Sequence, residues 1–225
     1  MSASAQTKSR NRNLPQERAP TDPLAKYARL EAFTHKLWGH IYPEVPTGLH
    51  ASIVARVYQK VKETYPLQPG ARVLDIGCGQ GVALTHFAAD KLNATGIALG
   101  EDVRICQEKG YDAIEMDLSF LEFPDETFDL VWCRHALEHS FMPFFVLSEI
   151  FRVSKPGGLV YIEVPAPNTN SQHESNPNHY SVLGTRMWTQ LILRTGFTDV
   201  THFEINFPLQ IGPDTYTGFV GRRPK

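Results

Sequence analysis

The sequence predicts an α/β fold in which one mostly parallel sheet carries helices on both faces. Three observations predict it. Residues 72–81 read Arg-Val-Leu-Asp-Ile-Gly-Cys-Gly-Gln-Gly, a short apolar strand that turns through three alternating glycines into a helix beginning near Val82. From there to Val164, short apolar runs alternate with helical patterns, the order that builds a parallel sheet. The connections are short enough for right-handed crossovers.

Taken in order, residues 1–20 are polar, with Ser, Gln, Asn and Pro, and hold too few apolar side chains to offset the entropy of ordering. A disordered tail is expected there. Lys8, Arg10, Arg12 and Arg18 against Glu17 give it a charge of +3, leaving −5 on the remainder. Residues 21–66 read as an N-terminal helical cap. Its first helix runs over 24–38, Pro43 and Pro46 interrupt the chain, and Ile53, Val54, Val57, Tyr58 and Val61 stripe a second helix that ends before Pro66. Tyr27, Trp38 and Tyr42 are candidates for a lid, with core packing the alternative.

Residues 67–225 form the main domain. After the glycine turn come a helix over 82–90, a strand over 94–99, a helix over 101–109 stopped by Gly110 and a strand over 113–116. A fourth strand over 128–133 and a helix over 143–153 follow, and Lys155-Pro156-Gly157-Gly158 is a turn into a strand over 159–164. A helix over 185–194, stopped by Gly196, precedes a last pair of strands over 200–207 and 216–221.

Composition bounds the function. With 225 residues, 42% of them hydrophobic, the chain can bury one sizeable core. No apolar run reaches the ~18 residues of a membrane span and the N-terminus lacks a signal-peptide core, so a cytoplasmic protein is expected. Cys78, Cys106 and Cys133 are odd in number and read as reduced core residues. The net charge of −2 supplies no general attraction to nucleic acid or membrane, and the oligomeric state leaves no mark in the sequence.

The chemistry begins at Asp75. Gly77, Gly79 and Gly81 follow G-x-G-x-G, whereas a dinucleotide site uses G-x-G-x-x-G, and the acid two residues before the first glycine would repel a phosphate. A cationic ligand suits it. The run resembles the first motif of the class I S-adenosylmethionine-dependent methyltransferases, an acid followed by x-G-x-G-x-G, and the likeness extends over 73–220. It implies a Rossmann-like methyltransferase fold, a seven-stranded mostly parallel sheet whose last strand is antiparallel, with S-adenosylmethionine as cofactor. The implied cofactor residues are Asp75, Gly77, Cys78, Gly79 and Gly81, then Asp117 and Leu118 at the adenine, and Arg134 at the end of the fourth strand. The stretch Phe123-Pro124-Asp125-Glu126-Thr127-Phe128-Asp129 matches the family's approach to that strand. In the second motif Ala98 stands where the ribose-binding acid belongs. Glu101, followed by Asp102, either replaces that acid or favours the N-terminus of the next helix.

Two histidine clusters remain. In His135-x-x-Glu138-His139, a helical turn would set both imidazoles on one face beside a carboxylate, a spacing able to hold a divalent ion. The same string occurs in some zinc peptidases, but here it lies within a methyltransferase frame. It also resembles the E-x-x-E-H through which some ubiquinone-type O-methyltransferases bind metal, which makes His135, Glu138 and His139 metal candidates; a structural or acid/base role is the alternative. The run His173-Glu174-Ser175-Asn176-Pro177-Asn178-His179-Tyr180 is a polar loop at the carboxyl end of the sheet and the best candidate for a substrate loop. His179 either acts there or pins the loop. Adjacent parallel strands place the two clusters side by side.

The function expected is methyl transfer by in-line displacement to an oxygen or nitrogen of a small-molecule or glycan-like acceptor, with His135, His139 or His179 as candidate catalytic base. The clamp Asp/Asn-Pro-Pro-Tyr/Phe and a Pro-Cys nucleophile are both absent from the sequence, which turns the expectation away from nucleobases. The alternative is a non-catalytic binding module on the same fold, suggested by Ala98 and the basic tail.

Overall fold

Val73, Leu74 and Ile76 are apolar on both faces of their strand, so β1 (Arg72–Ile76) is buried from both sides and becomes the centre of the sheet. The computed structural model describes residues 24–38 and 45–225 and divides into two compact units, Met1–His40 and Ile41–Lys225. The first holds α1 (Ala25–Trp38). The tail read over 1–20 and the lid candidate Tyr42 lie outside the described residues.

The second unit opens with α2 (Gly48–Thr64), whose N-cap Thr47 accepts the His50 amide at 3.2 Å. Then follow β1, α3 (Val82–Ala89), β2 (Asn93–Ala98), α4 (Glu101–Glu108), β3 (Asp112–Glu115), β4 (Phe128–Arg134), α5 (Pro143–Val153), β5 (Ser154–Pro165), α6 (Thr185–Arg194), β6 (Thr198–Leu209) and β7 (Gly212–Arg222). The strand order is β3-β2-β1-β4-β5-β7-β6. The first five are mutually parallel, and β7 runs antiparallel to both β5 and β6. The expected methyltransferase sheet is therefore present. Its order reverses between β1 and β4, and such a switch point opens a crevice at the carboxyl ends of the strands.

Alternation along the strands makes two cores. On one face Val73, Trp132 and Tyr161 meet the apolar stripe of α2 and Phe87 of α3, with the Trp132 and Tyr161 rings 4.0 Å apart. On the other, Leu74, Ile76, Val131 and Ile162 pack against α5 and α6. α2, grouped by the sequence with the N-terminal cap, thus lends its buried face to the sheet. Among the described residues no helix is long and apolar enough to cross a membrane.

Element bounds differ from the sequence reading in two places. The expected turn over 155–158 is absorbed into β5, because Ser154 pairs with Phe128 before the register shifts, and Gly157 and Gly158 exchange backbone bonds with Arg223. The expected helical turn over 135–139 is instead a 3-10 turn over Leu137–His139, preceded by His135 at φ 50°.

Candidate active site

The floor of the crevice is the glycine turn. Gly77, Gly79 and Gly81 all adopt positive φ, which disfavours side chains, and the amides of Gly77 and Cys78 both donate to the Ile97 carbonyl on β2, at 2.9 and 3.0 Å. Each glycine serves a different need. A Cβ at Gly77 would stand 2.7 Å from that of Ala136, one at Gly81 would touch the Tyr111 ring and Cys106, and one at Gly79 would meet nothing within 4 Å. Gly79 is where backbone faces open space. The Cys106 thiol bonds the Gly79 carbonyl from below at 3.1 Å, and Lys109 bonds that of Gln80. The Cys78 side chain lies beneath the turn against Gly96.

One recess is lined by Pro46, His50, Asp75, the glycine turn and Arg134; it shares Gly77, Gly79 and His135 with a larger one lined by Ala98, Asp102, Met116, Leu118, His139 and Asn178. Asp75 is 2% exposed and its Oδ2 has no hydrogen-bond partner. Burial, helped by the Cys106 thiol and opposed by Arg134, pushes its pKa up to about 8. Arg134 Nε lies 2.7 Å from Glu163 on β5, while its Nη2 has no hydrogen-bond partner.

Two expected residues occupy other places. The Glu101 carboxylate forks onto Arg104 Nε at 2.9 and 3.1 Å and is absent from the crevice lining; Asp102, one residue on, lines it. In the first turn of α4, whose N-cap is Gly100, Glu101 is exposed and Asp102 half-buried. At the end of β3, Met116 and Leu118 line the crevice, whereas Asp117 Oδ1 accepts the Ser119 amide at 2.7 Å.

The histidines separate by role. His135 has Nδ1 3.2 Å from Glu138 and Nε2 3.1 Å from Glu163. Burial and Arg134 act against its protonation, but the two carboxylates outweigh them and its pKa is raised. Both nitrogens are engaged by carboxylates, an arrangement that suits an ion-pair role. The i, i+4 face expected with His139 does not form, because positive φ at His135 turns its ring toward β5.

His139 donates through Nδ1 to the Asn178 carbonyl, 3.0 Å away. Since a carbonyl only accepts, Nδ1 carries the proton and Nε2 holds the lone pair. Its ring meets that of His179 edge to face, with centroids 4.8 Å apart. His179 Nδ1 is buried without a hydrogen-bond partner, and burial is the main cause of its lowered pKa. Glu138 is 1% exposed, and its Oε2 is also unpartnered. The two histidine clusters therefore meet, joined through the Glu138 carbonyl, which accepts the amides of Tyr180 and Ser181. His173 stays beside His179, the rings stacked with centroids 5.8 Å apart, and its Nε2 lies 3.1 Å from Asp214.

Glu163 escaped the sequence reading, although a signal was present: it is the one charge in Leu159-Val-Tyr-Ile-Glu-Val164, and charges inside apolar strands are rarely buried without a partner. Asp102 and Asn178 gave no signal that set them apart from their neighbours.

The sheet order, the acid-plus-glycine turn and the crevice at the switch point define a class I methyltransferase architecture. Comparison with known proteins agrees. A methyltransferase domain family matches residues 74–162. A ubiquinone biosynthesis O-methyltransferase of Pseudomonas aeruginosa is 34% identical over 181 residues, 76% of this chain and 72% of the relative. The 27-O-demethylrifamycin SV methyltransferase of Amycolatopsis mediterranei is 30% identical over 59% of this chain, and sterol 24-C-methyltransferase of Yarrowia lipolytica 34% over 52%. The chain spans 55% and 33% of the lengths of those last two. Among solved structures, phosphoethanolamine N-methyltransferase 2 of Haemonchus contortus superposes with a TM-score of 0.67 at 18% identity, covering 76% of this chain and 53% of that one. The [4+2]-cyclase SpnF superposes at 0.65 and 20%, covering 75% and 81%. The chain belongs to the class I S-adenosylmethionine-dependent methyltransferases.

Proposed function

We propose that this protein transfers the methyl group of S-adenosylmethionine to an oxygen or nitrogen of a small-molecule or glycan-like acceptor. The observation that carries this reading is the His139 imidazole, its tautomer set by the Asn178 carbonyl, lining the same crevice as Gly77 and Gly79. The ligand fits the residues present: Asp75 Oδ2 and Arg134 Nη2, both buried and unpartnered, match the ammonium and carboxylate of an amino acid. Asp102 is the acid available for ribose hydroxyls, and Met116 and Leu118 offer apolar surface to a purine.

When bound, the cofactor supplies a methyl group on a sulfonium, already a good leaving group. The chain's work is then mainly orientation. His139 Nε2 takes the proton of an acceptor hydroxyl, and the Nδ1–H bond to Asn178 stabilises the imidazolium that results. Glu138, beside it, adds negative charge. The net charge of −2 supports a partner other than nucleic acid, and three buried free thiols suit a reducing, cytoplasmic setting.

Mass spectrometry for methylated product, with a panel of hydroxyl- and amine-bearing small molecules, tests the reading. Cofactor binding without transfer to any of them would favour the non-catalytic module, since one fold hosts more than one function.

A second reading adds a divalent ion. Ligand atoms of Glu138, His139 and His179 lie within 4.8 Å of one another, and two of these side chains have unpartnered atoms. These three would hold the ion, which would polarise the acceptor oxygen. Metal analysis of tag-free protein and chelator resistance of transfer decide between the two.

A further inference from the structure

Arg134 stands opposite Glu163 in the β4–β5 register, and Asp75 stands opposite Trp132 one rung earlier. Strand alternation therefore puts Asp75, Arg134 and Glu163 on one face of the sheet. Asp75 and Arg134 line the same recess. A buried guanidinium and a buried carboxyl in one recess would pair unless one were held elsewhere. Here it is. Glu163, 0% exposed, forms an ion pair with Arg134, its Oε1 lying 2.7 Å from Nε, while His135 Nε2 stands 3.1 Å from the same Oε1 and the Tyr161 hydroxyl donates to Oε2. Asp75 Oδ2 and both Nε and Nη2 of Arg134 make no hydrogen bond.

Resting on the reading of this recess as the cofactor's amino-acid subsite, we infer that Glu163 is a positioning residue for cofactor binding. By holding Arg134 away from Asp75 it keeps both open, the carboxylate to an ammonium and the guanidinium to a carboxylate. Glu163 touches no ligand itself. Without its charge, Arg134 folds onto Asp75 and closes the subsite.

The test is calorimetric binding of S-adenosylhomocysteine to the wild type, Glu163→Gln, and Glu163→Gln combined with Arg134→Met. The wild type binds, Glu163→Gln loses roughly tenfold or more in affinity, and the double variant binds more tightly than Glu163→Gln because Asp75 is released. A residue that merely supports the fold would give the reverse order, each substitution adding to the loss. Should Glu163→Gln fail to fold, Glu163→Asp, which keeps the charge but retracts it by one methylene, must show the loss in its place. Unchanged affinity in the folded single variant, or a double variant no tighter than the single, overturns the inference. Failure of the wild type to bind would instead overturn the cofactor reading on which it rests.

Discussion

The His139 and His179 rings meet edge to face, with centroids 4.8 Å apart, although 39 residues separate them in the chain. β4 and β5 are adjacent and parallel, so the loops that leave their carboxyl ends share one side of the crevice. His139 has the lone pair and the cleft position. His139→Gln is expected to lower the rate of methyl transfer by about 10²–10⁴-fold, the usual contribution of a general base, while S-adenosylhomocysteine affinity in calorimetry stays unchanged. His135→Gln should lose stability instead, since two buried carboxylates lose their cation.

The glycines separate stability from binding. Gly77→Ala meets Ala136 at 2.7 Å and holds φ at 71°, so it should destabilise the fold by roughly 1–3 kcal/mol in denaturant titration. Ala136→Gly should recover part of this. Gly79→Ala, which meets nothing, should show only the backbone strain of about 1–2 kcal/mol yet obstruct the ligand.

The ribose acid is tested by a pair of substitutions. Asp102→Asn should weaken S-adenosylhomocysteine binding by about 1–3 kcal/mol, the range for losing a charged hydrogen-bond partner. Glu101→Gln should leave affinity unchanged, because its carboxylate is engaged by Arg104.

Asp75 makes binding pH-dependent. Burial and the Cys106 thiol raise its pKa against the opposing Arg134, to about 8 from an ordinary 3.8. Below pH 8 the free protein holds Asp75 protonated, whereas a bound ammonium needs the carboxylate. Affinity for S-adenosylhomocysteine should thus rise by up to about tenfold per pH unit toward pH 8, with proton release on binding. For stability the sign is opposite. A raised folded-state pKa favours folding most below pH 3.8 and loses that contribution as pH rises to about 8, so ligand-free Asp75→Asn should gain on the wild type across this window in denaturant titration.

The sheet was legible because local signals agreed with the tertiary fold: alternating runs, the glycine turn and the helix stops at Gly110 and Gly196 all point one way. The same is true of Asp75 and Gly77. What was not legible depended on side-chain direction. Glu101 and Asp102 are equivalent acids in the sequence, and only the orientation of α4 separates them. A regular helix would pair His135 with His139, but both line the crevice on different terms: His135, at φ 50°, has its two nitrogens on Glu138 and Glu163, and His139 has Nδ1 on the Asn178 carbonyl. Glu163 itself finds its meaning only through the strand opposite.

The central claim is the identity of the cofactor, and thermal-shift measurement with S-adenosylmethionine, S-adenosylhomocysteine and NAD tests it most directly. Both adenosyl ligands should raise the melting temperature with the logarithm of concentration above their Kd, since they bind only the folded state, and NAD, whose pyrophosphate would meet Asp75, should not. Stabilisation by NAD alone, or by none of the three at millimolar concentration, would contradict the account.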